Sequence, residues 1–128
     1  MLEIKTYEEY YSEYLVDIDY YVDNNFVGVG SIYIEDKDTL IVVGIKIWEK
    51  YRGKGYATKM MKEIVAFYKE QFSNIYPRLI LRVFSDNIPA LKAYIHSGFK
   101  AYEMEPPYGD KIVLKMELVE RRGNNVCQ

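Results

Sequence analysis

Two runs of residues in this chain have types and spacing that could do chemistry. The first, Arg52-Gly53-Lys54-Gly55-Tyr56-Ala57, stands between a strand-like stretch at residues 39–48 and a segment with helical apolar spacing. Glycines at a strand-to-helix junction suit a phosphate seat. The N–H groups of a first helical turn lack intrahelical acceptors, and the helix dipole places about half a positive charge there. Gly53 and Gly55 let the backbone approach an anion closely, while Arg52 and Lys54 add charge. The second run, Asn87-Ile88-Pro89-Ala90-Leu91-Lys92-Ala93-Tyr94, ends at Gly98-Phe99 and reads as a short helix carrying one tyrosine.

Taken alone, the glycine run also fits an ordinary surface loop with a glycine-assisted turn. It is not a Walker loop, and Thr58 stands where a dinucleotide fingerprint needs its third glycine. Nucleoside triphosphate and nicotinamide chemistry are thereby disfavoured. In the second run, Asn87 is explained equally well as a helix cap, and Tyr94 as a core aromatic beside Leu91 and Ile95.

Together the two runs resemble the GNAT superfamily of acyl-CoA N-acyltransferases. The family's pyrophosphate loop reads Arg or Gln, two residues, Gly, one residue, then Gly or Ala, which Arg52, Gly55 and Ala57 match. Its second signature is an Asn, then an Ala, a Tyr and a Gly-Phe pair at fixed offsets, reproduced by Asn87, Ala90, Tyr94, Gly98 and Phe99. The resemblance covers residues 26–118 and fits the first 25 residues only loosely.

The resemblance implies an α/β (α+β) domain, a mixed and mostly antiparallel sheet with helices packed on its faces, over residues 1–120; it does not extend to residues 121–128, whose polar Gly-Asn-Asn composition reads as a flexible tail. It implies an acetyl-CoA-dependent N-acetyltransferase, with direct transfer to a primary amine in a ternary complex and no metal. Acetyl-CoA is then held by Ile45, Lys46 and Ile47, by the loop residues Arg52, Gly53, Lys54, Gly55, Tyr56 and Ala57, and by Asn87 and Tyr94. An acyl oxygen that turns negative in the transition state meets main-chain N–H groups of residues 45–47. Tyr94 takes the position of the family's general acid, and a phenol with pKa near ~10 stays protonated at neutral pH.

The amine must lose a proton before attack. For a lysine-like amine of pKa ~10.4 that costs roughly 4.6 kcal/mol at pH 7, against about 1 kcal/mol for a terminal α-amine. A base or a water chain is therefore needed, yet residues 40–48 include no acid until Glu49 beyond them. Asp38, Glu49 and Glu35 flank that stretch, and each is equally a solvated charge at a turn. His96, two residues after Tyr94 on a helix, points to another side. The base is unassigned, and so is the acceptor, an amine-bearing small molecule or a protein or peptide. A short first helical region leaves less of a lid and favours an extended acceptor. Two readings from other classes stand beside the enzyme: a coenzyme-A-binding module without turnover, and a partner-binding domain presenting a tyrosine-rich N-terminal stripe.

The elements that must position these residues follow from periodicity. Residues 2–5 read as a short strand, and Thr6-Tyr7-Glu8-Glu9 has the form of a capping box, so a helix is expected from Thr6 with Tyr7, Tyr10, Tyr11, Tyr14, Leu15 and Ile18 as its stripe. Residues 18–22 and 26–34 read as hairpin arms around Asp23-Asn24-Asn25, and residues 40–48 as the next strand. Ala57, Met60, Met61, Ile64, Val65, Tyr68 and Phe72 mark a helix, its methionines core filler. Residues 79–84 read as a buried strand. A short helix follows, capped from Ser85-Asp86-Asn87 and stopped by Gly98. Residues 99–103 and 112–119 finish as a hairpin around Pro106-Pro107-Tyr108-Gly109-Asp110.

Composition bounds the remainder. With 128 residues and 49% hydrophobic content, one core and one domain are expected. Seventeen basic against 19 acidic residues, net −2, offer no cationic surface for a nucleic acid. No apolar stretch approaches the ~20 residues of a membrane span, and the acidic first residues are unlike a signal peptide, so a cytoplasmic setting is expected. The single cysteine, Cys127, cannot close an internal disulfide. An exposed final hairpin leaves a homodimer open.

Overall fold

β1 (Leu2–Thr6), β2 (Tyr14–Val22), β3 (Asn25–Asp36) and β4 (Thr39–Ile47) form a meander that leads through a 3-10 turn at Glu49–Tyr51 into α1 (Tyr56–Gln71). β5 (Arg78–Phe84), α2 (Ile88–His96), β6 (Phe99–Tyr108) and β7 (Lys111–Leu118) complete the chain. The computed structural model describes residues 1–6 and 14–119, and of these all side chains but those of residues 4–6, 14, 15, 107 and 108. The strands make one sheet in the order β1-β2-β3-β4-β5-β7-β6. β4 and β5 run parallel and every other neighbouring pair antiparallel. This is the mixed, mostly antiparallel sheet expected above.

The β2–β3 hairpin closes through Asp23 and Asn24 at φ 50° and 67°. Positive φ at both central residues marks a primed turn, whose twist suits a tight hairpin and which Asp and Asn tolerate. Helix α1 buries Met60, Met61, Ile64, Val65 and Tyr68. Each such side chain contributes about 1.5–3 kcal/mol when removed from water. The β4-α1-β5 and β5-α2-β6 connections both progress in one direction across the sheet. Right-handed crossover therefore sets both helices on the same face, where they touch each other and share one core with Val16, Ile18, Val27, Ile32 and Leu40.

Residues 14–18 differ from expectation, since they are strand rather than the end of a helix. Val16 and Ile18 are buried on the helix-covered face, while Asp17 turns to the other side and accepts a hydrogen bond from Ser31 Oγ at 2.8 Å. Tyr, Val and Ile are strong strand formers, and their positions here satisfy period two as well as the helical spacing; pairing with β3 decides between them. The earlier part of the expected helix, residues 7–13, and the expected tail at 121–128 lie outside the described residues.

The final hairpin also differs. Pro106-Pro107-Tyr108 continues β6, and the turn is Gly109-Asp110, with Gly109 at φ 66°. Two consecutive prolines survive here because β6 is an edge strand and its register with β7 shifts between Glu105 and Tyr108, so neither proline sits at a paired position.

Two features of β4 prepare a site. Its pairing with β5 runs from Thr39↔Arg78 to Val42↔Leu81 and stops there, so the last residues of both strands border a gap. Just beyond, Val29 pairs with Lys46 and Ser31 with Val43, so Gly44 and Ile45 together oppose Gly30. This is a β-bulge with Gly44 at φ 68°, which bends the strand where the partner is lost. The sheet face opposite the helices carries ion pairs. Arg78 grips Glu117 at 2.7 and 3.1 Å, and Lys115 approaches Glu103 at 3.8 Å. Neither described helix covers that face.

Candidate active site

The coenzyme side of the site begins where β4 ends. Arg52 Nε donates to Ile47 O at 2.9 Å, tying the glycine loop to the last residue of the strand. Gly53 and Gly55 both stand at φ 78°, a left-handed conformation that few other residues accept, and a Cβ added at either meets nothing within 4 Å. The backbone is therefore bare on its outer side. The first bond of α1 runs from Lys59 N to Gly55 O at 3.2 Å, so the amides of Tyr56, Ala57 and Thr58 have no intrahelical acceptor, and no acid stands in the first turn to compete for them. A cradle of main-chain donors without side chains over it fits a diphosphate, and the donor set fits coenzyme A.

A groove of ≈ 610 Å³ leads away from this cradle, between β4 and the two helices. Of the expected coenzyme residues, Ile45, Lys46, Ile47, Arg52, Gly53, Gly55, Tyr56, Ala57, Asn87 and Tyr94 line it. Lys54 is exposed and does not. Trp48 N bonds back to Val27 O at 2.9 Å. Alternation along the strand then turns the amide of Lys46 toward β3 and those of Ile45 and Ile47 toward the gap.

A second cavity, ≈ 500 Å³, opens on the other side of the same gap, lined by Gly44, Ile45, Arg82, Val83, Phe84, Asn87, Tyr94, Glu105, Pro106 and Val113. Ile45, Asn87 and Tyr94 border both spaces. Asn87 caps α2, its side-chain oxygen accepting from Ala90 N at 3.4 Å, so capping and lining the cavity belong to the same residue. Tyr94 is 8% exposed and packs edge-on to Phe99 with centroids 6.3 Å apart. Burial pushes its phenol above the ordinary tyrosine range.

The acids weighed as bases are spread out. Asp38 lies in the turn at the far end of β4, where its amide bonds Asp36 Oδ1 at 2.9 Å. Glu49 is exposed in the 3-10 turn. Glu35 is bound to Arg82 at 3.0 Å. His96 is exposed near the C-terminal end of α2 and lines neither cavity. The carboxylate that does enter the second cavity is Glu105, which accepts from Arg82 Nε at 2.9 Å. Sequence reasoning missed Glu105 because Pro106-Pro107 looks like the start of a turn, and Arg82 because its pairing is with acids of other strands. Gly44 was legible in principle, as a glycine inside an apolar strand marks a bulge. Among the described residues no group of three or more His, Cys, Asp or Glu is placed to hold a metal.

A bulged strand parting from its parallel neighbour beside a bare glycine loop defines an acyl-CoA transferase fold, and comparison with known proteins agrees. Residues 2–99 match the model of the Acetyltransferase (GNAT) family, and the chain belongs to that family. No curated protein sequence matches it. Among solved structures it is similar to a GNAT family acetyltransferase from Elizabethkingia anophelis with acetyl-CoA bound, at TM-score 0.71 and 16% identity over 92% of this chain and 97% of that one. It is also similar to a mutant of the spermidine N-acetyltransferase SpeG from Vibrio cholerae (TM-score 0.67, 18% identity, 81% and 64% covered). A third is the aminoglycoside acetyltransferase AAC(6')-Ib in complex with coenzyme A and kanamycin (0.70, 15%, 88% and 69%). At such identities the likeness is one of fold.

Proposed function

We propose that this chain transfers an acetyl group from acetyl-CoA to a primary amine held in the second cavity. The observation that carries the reading is the meeting of two spaces at Ile45, Asn87 and Tyr94, one suited to the coenzyme and one open to an acceptor. Structures similar to this chain include enzymes named for spermidine and aminoglycosides, which supports an amine as acceptor.

The coenzyme supplies a thioester carbonyl and a thiol leaving group. The protein's own groups do the rest. Amides of the β4 bulge face the gap and offer fixed donors to negative charge developing on an acyl oxygen. Tyr94 holds a proton at Oη beside the same gap. A thiol ionises near ~8.5, so a buried phenol above ~10 is the weaker acid, and full proton transfer from Tyr94 to a thiolate runs uphill by about 2 kcal/mol or more. Its contribution is therefore a hydrogen bond donated as charge develops, with solvent completing the proton balance. The bordering segment of β4 holds no carboxylate, and Glu105, the acid that lines the cavity, is engaged by Arg82, so amine deprotonation goes through water in the open cavity.

The test is a thiol-release assay with acetyl-CoA and a panel of amines. Free coenzyme A appearing only in the presence of particular amines supports the enzyme. Tight coenzyme binding with no release for any amine replaces it with a binding module.

A further inference from the structure

We propose that Glu105, oriented by Arg82, binds an ammonium of the acceptor other than the nitrogen that is acetylated, so that the site selects an amine carrying a second positive charge; this rests on the acetyl-transfer reading above.

Arg82 is the first β5 residue past the last β4–β5 pair, Val42↔Leu81, and so stands at the fork of the gap. Its side chain spans two acids on the helix-free face, Nη2 to Glu35 Oε2 at 3.0 Å and Nε to Glu105 Oε2 at 2.9 Å. A lone guanidinium at that mouth would repel a cationic acceptor. Two carboxylates on one guanidinium reverse the sign and leave a net charge of about −1. Of the two acids only Glu105 lines the cavity. Arg82 occupies its Oε2, and Oε1 has no hydrogen-bond partner among the described residues. A carboxylate has about four acceptor positions, so Glu105 keeps capacity for an ammonium while Arg82 fixes its direction.

The cavity's other walls favour the same ligand. Ile45, Phe84, Pro106 and Val113 are apolar and suit an alkyl stem, and they displace water that would weaken the charge pairing. Arg82 keeps its charge despite partial burial, which works against it, because the hydrogen bonds and charges of Glu35 and Glu105 outweigh that cost and hold its pKa above the ordinary value. In this arrangement Arg82 is a positioning residue and Glu105 an acceptor-binding one.

The experiment titrates full-length protein, saturated with coenzyme A, with putrescine, spermidine and lysine amide by calorimetry, comparing the wild type with Glu105→Gln and Glu35→Gln. At least one probe is expected to bind, with affinity that falls as salt rises. Glu105→Gln should weaken that probe about tenfold or more, the value of a charge-assisted hydrogen bond of ~1.5 kcal/mol, without changing affinity for coenzyme A. Glu35→Gln, outside the cavity and acting through the field and its bond to Arg82, should cost less than about threefold. Both acids are partly exposed, so melting temperatures should stay close to wild type. Equal losses in the two variants, an unchanged affinity in Glu105→Gln, or no binding by any of the three probes overturns the assignment. The acetyl-transfer reading fails separately: amine binding that depends on Glu105, with no thiol release in the assay above, keeps the anchor and removes the transfer.

Discussion

Ile45 of β4 and Tyr94 of α2 border both the groove beside the glycine loop and the second cavity, although 49 positions separate them in the chain. A main-chain donor on one side of the gap and a phenol proton on the other are what an acyl transfer between two bound molecules requires. Each residue is placed by a local irregularity, the Gly44 bulge for Ile45 and the Asn87 cap for the helix of Tyr94.

Gly55→Val should separate binding from stability. At φ 78° a β-branched residue costs roughly 1–2 kcal/mol in strain, and the new side chain stands in open space, so the fold should survive. Loss of two charge-assisted bonds to a diphosphate, at ~1.5–3 kcal/mol each, should lower coenzyme A affinity by about a hundredfold or more. Calorimetry beside a thermal melt checks both halves, and retained affinity would falsify the phosphate seat.

Tyr94→Phe removes one hydroxyl from a packed ring and leaves its contact with Phe99. Coenzyme affinity should hold while kcat falls by ~10²-fold, as for loss of one fixed hydrogen-bond donor to developing charge. An unchanged kcat for the best amine removes Tyr94 from the mechanism.

The raised Tyr94 pKa sets a sign for pH dependence. The folded protein keeps this proton more tightly than the unfolded chain, whose tyrosines ionise near ~10, so below that pH the group adds no slope, and stability declines as pH rises past it. In the rate profile Tyr94 should impose no alkaline fall below pH ~10, leaving only the rise as the amine deprotonates. A fall centred below pH ~9 in the wild type that vanishes in Tyr94→Phe contradicts this.

Two glycines of β3 should respond differently to alanine. A Cβ at Gly28 comes 2.5 Å from Lys46 O, which is backbone and cannot step aside, so Gly28→Ala should destabilise by about 1–3 kcal/mol. At Gly30 the clash is with Ile45 Cδ1 at 2.5 Å, the tip of a flexible side chain. Gly30→Ala should cost less stability but push Ile45 into the shared gap and depress turnover. Paired melts and steady-state rates read the contrast, and an equal loss of melting temperature in both argues against it.

Much of the fold was legible because local chemistry and periodicity agreed. Asp23-Asn24 could only serve a turn, the three-four stripe from Ala57 could only face a core, and Asn87 and Gly98 punctuate α2 at both ends. At residues 14–18 local signals conflicted, since β-forming residues stood at helical spacing, and the partner strand settled the matter. Pro106-Pro107 misled because proline's tolerance depends on whether a strand lies at an edge, which no local window reveals.

The sequence by itself determined the loop proposed to seat the coenzyme's diphosphate. Its specificity is built from main-chain amides released by glycines and a helix start, features written within six consecutive residues. Only the tertiary structure brings together the residues of the proposed acceptor half. Arg82, Glu35 and Glu105 come from three strands and converge on one face because the sheet order sets them there, and charge pairing across strands leaves no mark on spacing along the chain.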